Sequence, residues 1–109
     1  LTAADALGAM FPCGSVIGAP KIEAMKAIAR IEKRGRGPYC GAIGYIDDRG
    51  NADFSVAIRI MIAESVGGKL KITIPVGGGV TLRSDPDAEY EETLLKARTS
   101  MNALGLAGT

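Results

Sequence analysis

The sequence contains no histidine and no tryptophan, and aromatic residues make up only 5% of its 109 positions. Without imidazole side chains, any acid–base or metal chemistry that needs histidine has to come from outside this chain. The 13 basic and 12 acidic residues nearly cancel, which leaves a formal net charge of +1. This balance gives no indication of a nucleic-acid partner or of a strongly acidic one.

Cysteine is scarce as well, because Cys13 and Cys40 are the only two in the sequence. Their separation does not match metal-ligand spacing and favours two reduced thiols in a cytosolic protein. No apolar run reaches the length of a membrane helix. The first residues, Leu1 to Asp5, lack the basic region of a signal peptide. We therefore expect a cytoplasmic protein that does not contact a membrane.

The length fits one modest domain, but the material for its core is light. The sequence has 15 glycines, and its apolar residues are mainly aliphatic. Small chains with light cores are marginally stable on their own. Because the first residue is also not Met, we expect the chain to be part of a larger protein.

Hydrophobic periodicity predicts an α+β order of two helices, three or four strands and a final helix. Thr2 is expected to cap a helix over residues 3–10, and Pro20 fits the first turn of the second helix. The final helix is expected to begin at Ser84 or Asp85, with Ser84 and Asp87 resembling a capping box. The apolar stripe of the second helix is Ile22, Met25, Ile28 and Ala29. The buried face predicted for the final helix is Tyr90, Leu94, Ala97, Met101 and Leu104.

The predicted strands cover residues 39–46, 53–63 and 69–74, and form an antiparallel sheet with turns at 47–51 and 67–68. Residues 53–63 are apolar on both faces, which is typical of a central strand. Arg59 would then be a buried guanidinium, and such a group is costly without a partner. A ligand carboxylate would match its geometry, and a set of structural hydrogen bonds is the alternative.

The most informative side chains are Glu89, Glu92 and Lys96 on the final helix. Spacings of three and four residues place them on one stripe. The glycines at 77–79 could let a ligand approach the backbone closely. A hard cation and an anionic small molecule would suit this arrangement. The plainer alternatives are a surface ion pair between Glu92 and Lys96 and a bulge at the glycines.

Two further groups have simple interpretations. Arg34 and Arg36 are most simply part of a solvated turn. Tyr39 and Tyr45 are interpreted as strand aromatics packed on a sheet face.

Five motifs occur in order along the chain: Phe11–Lys21, Gly37–Tyr45, Ala57–Arg59, Gly77–Gly79 and Asp85–Lys96. Taken together, they resemble one known family. The resemblance is to the C-terminal part of the chorismate-utilising enzymes, and it runs from about Leu7 to Leu104. It implies that residues 1–109 are the C-terminal portion of a larger chorismate-binding α/β-sandwich domain, with helices packed on an antiparallel sheet.

The resemblance also implies a Mg²⁺ cofactor and a set of site residues. Glu92 would ligate the metal, Glu89 would support it, and Lys96 would meet the ring carboxylate of chorismate. Arg59 and Tyr39 would hold the enolpyruvyl carboxylate. The remaining substrate-binding residues would be Ser15, Gly77, Gly78 and Gly79. No catalytic residue within this chain follows from the resemblance.

The form of the first motif, Phe-Pro-x-Gly-Ser, is more similar to the para-aminobenzoate branch of the family. This implies an aminodeoxychorismate synthase component I, which makes 4-amino-4-deoxychorismate with ammonia from a glutamine amidotransferase subunit. Anthranilate synthase component I is the alternative within the family. Outside it, the alternatives are a generic Mg²⁺ or carboxylate binder and a non-catalytic module that assembles as a homo-oligomer.

The chain departs from the family pattern at Cys13, Ile17, Pro75 and Val76, and none of these positions removes an implied role. The family's lysine motif and its other metal-binding glutamate are not found in this sequence. We therefore expect the 109 residues on their own to be inactive.

Overall fold

The computed structural model describes residues 1–106. The chain divides into two compact units, Leu1–Ala57 and a second unit that begins at Ile58. The architecture is α+β, as predicted, with four helices and four strands within the described residues. In chain order these are α1 (Ala3–Met10), α2 (Gly14–Ile17), α3 (Lys21–Glu32), β1 (Ala42–Ile46), β2 (Ala52–Val56), β3 (Ile62–Val66), β4 (Lys69–Thr73) and α4 (Pro86–Ala103).

Helix α1 begins where its sequence predicts. The Thr2 hydroxyl accepts a hydrogen bond from the Asp5 N–H at 3.2 Å, and the Asp5 carboxylate accepts one from the Thr2 N–H at 2.8 Å. This reciprocal capping box satisfies two backbone donors that the first turn would otherwise leave free. The prediction of a helix over residues 3–10 is therefore confirmed.

The next two helices differ in detail from the prediction. Helix α2 is an additional short helix, since the sequence predicts two helices before the strands and the structure has three. Pro20 is the N-cap of α3 and not a residue of its first turn. Helix α3 ends at Glu32, and its C-cap Lys33 adopts a left-handed conformation with φ of 54°. The predicted apolar stripe of α3 is also wrong in part, since Ile28 is half-buried but Ile22, Met25 and Ala29 are exposed. The partner helix α2 has only four residues and covers little of that stripe.

Strands β1 and β2 form an antiparallel hairpin, from the pair Ala42↔Val56 to the pair Ile46↔Ala52. Two further backbone hydrogen bonds, from Cys40 N–H to the Ala57 carbonyl and from Ala57 N–H to the Gly41 carbonyl, extend the pairing. Cys40 and Ala57, which these bonds join, are the two buried apolar residues among residues 1–106. β1 begins at residue 42 and not at 39, because residues 37–40 form a turn.

The predicted strand over residues 53–63 is wrong in its middle, because residues 57–61 do not form a strand and separate β2 from β3. Arg59 lies in this connecting segment with φ of 54°, a left-handed conformation that does not continue a strand. Its side chain is exposed, so the expected buried guanidinium is also wrong. Within residues 1–106 the strands form two separate two-stranded sheets in place of the single sheet predicted.

Strands β3 and β4 form the second antiparallel hairpin. Gly67 and Gly68 join them with φ values of 57° and 76°. A two-residue turn of this kind needs a positive φ at both positions, which glycine adopts without a steric penalty. The turn predicted at residues 67–68 is confirmed.

Helix α4 is capped by Asp85, whose carboxylate accepts a hydrogen bond from the Ala88 N–H at 2.9 Å. The predicted capping box at Ser84 is wrong, because the Ser84 hydroxyl accepts a hydrogen bond from the Thr81 N–H. The predicted buried face is also wrong at its first turns, since Tyr90 and Leu94 are exposed. Within residues 1–106, no helix combines the length and the apolar character needed to cross a membrane.

Candidate functional site

The stripe on α4 forms where the sequence predicts it. The Lys96 ammonium lies 2.5 Å from a carboxylate oxygen of Glu92 and donates a hydrogen bond to the Gly77 carbonyl at 3.2 Å. The Lys96 side chain is 24% exposed, whereas that of Glu92 is 53% exposed. The cation is therefore held between helix and loop, while its carboxylate partner faces solvent.

Glu92 is biased towards its ionised form. The hydrogen bond from Lys96, the charge of Lys96 and, to a smaller extent, the charge of Arg59 hold the pKa of the Glu92 carboxyl below its ordinary value. At neutral pH the group is a carboxylate, the form that binds a hard cation.

The glycine loop comes close to α4 at Gly78, which lies beside the Glu89 side chain. A Cβ atom added to Gly78 would lie 3.2 Å from a carboxylate oxygen of Glu89 and 3.8 Å from the Lys96 nitrogen. The structure thus brings Glu89, Glu92 and Lys96 together with the loop that the sequence grouped with them. The loop contacts Lys96 through the Gly77 carbonyl, whereas the role of its amides remains a prediction.

The acidic side chains of α4 meet the needs of the predicted metal only in part. Within residues 1–106, no group of three or more His, Cys, Asp and Glu residues is placed to hold a metal ion. Glu89 and Glu92 nevertheless supply two carboxylates, and proteins commonly bind Mg²⁺ through one or two carboxylates, with water and an anionic substrate completing the shell. The residues present therefore fit one part of a Mg²⁺ site.

The other two predicted substrate contacts, Ser15 and Tyr39, belong to the first unit. Ser15 is exposed on α2, and Tyr39 is half-buried in the turn that precedes β1. The interpretation of Tyr39 as a strand residue is therefore wrong.

A second cluster of charged side chains surrounds Tyr39. The Arg36 guanidinium donates two hydrogen bonds to the Glu32 carboxylate, at 3.0 and 2.6 Å, and a third to the Cys40 sulfur at 3.4 Å. Its central carbon lies 5.5 Å from the centroid of the Tyr39 ring. The interpretation of Arg36 as part of a solvated turn is therefore wrong. The i,i+4 spacing of Glu32 and Arg36 was the sequence signal that could have indicated the pair.

The cluster changes the proton affinity of its members. Burial raises the pKa of the Tyr39 phenol, the nearby Cys40 thiol raises it further, and the positive charge of Arg36 opposes both effects. The hydrogen bonds from Arg36 lower the pKa of the Glu32 carboxyl. Glu32 and Arg36 are thus both charged at neutral pH, as a strong bidentate pair requires.

Comparison with known families decides what kind of protein carries these two clusters. The family described as "chorismate binding enzyme" matches residues 1–102. The chain belongs to the chorismate binding enzyme family. The motifs that predicted this membership are confirmed over nearly their full extent.

Curated relatives refine the comparison. The chain is similar to anthranilate synthase component 1 of Synechocystis sp., with 46% identity over 104 residues that cover 94% of this chain and 20% of the relative. It is 44% identical over 108 residues to anthranilate synthase component 1 of Methanothermobacter thermautotrophicus, covering 99% of this chain and 22% of the relative. The same protein of Mycolicibacterium smegmatis gives 44% identity over 108 residues, covering 99% and 20%. The chain thus spans about a fifth of the length of these relatives.

These relatives help to choose between the two candidate branches of the family. They support the anthranilate synthase alternative better than the aminodeoxychorismate synthase that the first motif favoured. The relatives carry more weight than the first motif, because the motif covers a short segment whereas the identity to the relatives extends along almost the whole chain.

Proposed function

We propose that this chain forms part of the catalytic domain of an anthranilate synthase component I, a Mg²⁺-dependent enzyme that aminates chorismate. The observation that carries the proposal is the contact of Lys96 with both Glu92 and the Gly77 carbonyl. This contact places an ammonium, an ionised carboxylate and an open backbone loop side by side. The identity to anthranilate synthases along nearly the whole chain supports the choice of branch.

The charges of the substrate match the residues assigned to it. Chorismate is a dianion, and in this proposal Lys96 binds its ring carboxylate while Arg59 and Tyr39 bind the enolpyruvyl carboxylate. Arg59 is exposed and free of a salt bridge within residues 1–106, so its planar guanidinium is available for a bidentate contact. Ser15 and the amides of Gly77–Gly79 complete the proposed substrate contacts.

Glu92 and Glu89 would hold the Mg²⁺ ion. When bound, the metal supplies positive charge that positions the ring carboxylate and stabilises negative charge as the hydroxyl group leaves. The chain's own contribution is electrostatic, since Lys96 and, to a smaller extent, Arg59 lower the pKa of the Glu92 carboxyl. Lys96 is itself fixed by the Gly77 carbonyl, so its charge is already in place before substrate arrives.

Ammonia is proposed to come from a glutamine amidotransferase subunit. A second candidate function, aminodeoxychorismate synthase component I, is favoured by the sequence Phe11-Pro-Cys-Gly-Ser15 in the first motif. The two candidates differ in the ring position that receives ammonia and therefore in the product.

The product of the full-length enzyme tests the proposal. The enzyme is incubated with chorismate, Mg²⁺ and ammonium, and the products are separated by liquid chromatography. Anthranilate is expected, 4-amino-4-deoxychorismate would support the second candidate, and the absence of both would contradict either assignment. A parallel incubation of the 109-residue chain alone is expected to give no product, and turnover there would contradict that expectation.

A further inference from the structure

The guanidinium of Arg36 is fixed by three hydrogen bonds. Its Nε and Nη2 atoms donate to the two carboxylate oxygens of Glu32, and its Nη1 atom donates to the Cys40 sulfur. Because the group is planar and its donors form a rigid fork, contacts along these edges define the orientation of the whole plane. Only 24% of the Arg36 side chain is exposed, so this is not a freely solvated surface cation.

Cys40, which accepts one of these hydrogen bonds, is itself held in place by its surroundings. Cys40 is 3% exposed, and its N–H donates to the Ala57 carbonyl at 2.8 Å. It also adopts a positive φ of 68°, which is uncommon for a residue with a side chain and persists where surrounding contacts hold it. The Cys40 thiol is therefore a fixed point for Arg36.

The fixed guanidinium lies over the ring of Tyr39. The distance of 5.5 Å to the ring centroid is within the range of a cation–π contact. A cavity of about 300 Å³ adjoins Arg36, Tyr39 and Cys40, so the ring has open space beside it. Without the guanidinium, that space would allow the ring to leave its present orientation.

We propose that Arg36 is a positioning residue that holds the Tyr39 ring in place for the substrate, and that Glu32 and Cys40 set the plane of its guanidinium. This inference rests on the proposed function, which assigns the Tyr39 hydroxyl to a substrate carboxylate. Arg36 itself does not touch the substrate in this account. It acts by reducing the conformational freedom that Tyr39 would otherwise lose on binding.

The first experiment is steady-state kinetics of the full-length enzyme with ammonium as nitrogen source. Arg36→Met is expected to raise the KM for chorismate on the order of fivefold, as the loss of a partly desolvated cation–π contact predicts, with kcat changed less than about twofold. Arg30→Met is the matched control, because Arg30 is an exposed arginine of α3 in the same unit and lies outside the lining of the cavity beside Tyr39, and it is expected to leave both constants unchanged. An unchanged KM in Arg36→Met would overturn the inference.

Arg36→Met could also raise KM by disturbing the fold, so a second set of variants isolates the route through Tyr39. Tyr39→Ala is expected to raise KM, and adding Arg36→Met to it is expected to cause no further rise, because the ring to be positioned is gone. An equal rise of KM in both backgrounds would show that Arg36 acts independently of Tyr39 and would overturn the inference. Arg36→Lys keeps the positive charge but loses the planar set of guanidinium donors, so we expect its KM to lie between that of the wild-type enzyme and that of Arg36→Met.

The outcomes separate this inference from the function on which it rests. If Tyr39→Ala leaves KM unchanged, Tyr39 does not bind substrate, and both its assigned role and the inference are wrong. If Tyr39→Ala raises KM and Arg36→Met does not, the substrate role of Tyr39 stands and only the inference is wrong.

Discussion

Two pairs in this chain share one sequence signature, a glutamate followed four residues later by a cation. In the first unit Glu32 pairs with Arg36, and in the second Glu92 pairs with Lys96. Both cations are 24% exposed, but the carboxylates differ, since Glu32 is 33% exposed and Glu92 is 53% exposed. The same spacing therefore produces one closed pair and one pair whose carboxylate remains accessible.

The difference comes from where each cation lies relative to its helix. Lys96 is within α4, so its side chain extends along the helix towards the Gly77 carbonyl. Arg36 lies beyond the end of α3, after the left-handed Lys33, and the turn directs it back onto both oxygens of Glu32. The type of cation adds to this difference, because the Lys96 ammonium contacts one oxygen of Glu92 whereas the guanidinium fork of Arg36 contacts both oxygens of Glu32.

The largest expected effect tests whether the accessible carboxylate is the metal ligand. We expect Glu92→Gln to weaken Mg²⁺ binding by the full-length enzyme about 100-fold, at the upper end of losses seen around metal sites. Glu32→Gln is expected to leave Mg²⁺ binding unchanged, because that carboxylate is occupied by Arg36. The measurement is a Mg²⁺ titration by calorimetry, with Glu91→Gln as the control on the same helix. Unaltered affinity in Glu92→Gln would remove the metal assignment.

A smaller effect is expected from the loop that faces the accessible pair. Gly78→Ala places a Cβ atom 3.2 Å from the Glu89 carboxylate, tighter than ordinary contact, so the loop or the side chain has to shift. We expect kcat/KM to fall about tenfold, because small displacements of positioning groups are costly in active sites. Gly79→Ala is the comparison, since a Cβ there meets nothing within 4 Å. Equal losses in the two variants would show that contact with Glu89 is not the cause.

The next prediction concerns the pH dependence of the accessible pair. Lys96 lowers the pKa of Glu92, so Lys96→Met should raise that pKa towards its ordinary value of 4.5. The acidic limb of Mg²⁺ binding by the full-length enzyme should then move to higher pH, since protons compete for the carboxylate over a wider range. Arg98→Met, on the same helix, should leave the limb in place. A limb that does not move in Lys96→Met would contradict the coupling.

The smallest effect concerns the closed pair and stability. Arg36 lowers the pKa of Glu32 in the folded protein below its ordinary value of 4.5, so the pair stabilises the fold above that pH. This contribution, about 1 kcal/mol or less for a partly exposed pair, is lost as pH falls through the lowered folded pKa. Urea unfolding of the full-length enzyme at several pH values should show a shallower loss of stability in acid for Glu32→Gln. An identical pH dependence would show that the pair contributes nothing.

The sequence predicted those features that depend on neighbouring residues. Thr2 with Asp5 and Gly67 with Gly68 are local signals, because each acts within a single turn of chain. The stripe of α4 followed from helical periodicity, and the resemblance in motif order indicated that it would meet the glycine loop.

The errors arose where a local pattern was overridden by the path of the backbone. Residues 53–63 alternate as a strand should, yet Arg59 adopts a left-handed conformation that alternation does not reveal. Arg36 was predicted to lie in a solvated turn. That prediction missed its contacts with Cys40 and Tyr39, because they depend on the turn that the chain makes after α3 ends. Such contacts depend on the direction of the chain, which side-chain periodicity does not encode.

The two hairpins have a consequence for handling this polypeptide in solution. Within residues 1–106 each strand pairs with one neighbour, so each has a second edge of backbone N–H and C=O groups without a partner strand. β4 is exposed along its whole length and carries Leu70 and Ile72. Open, partly apolar strand edges of this kind can pair with strands of other chains. The 109-residue polypeptide should therefore self-associate more strongly as its concentration rises, and charged substitutions on β4 should keep it dispersed.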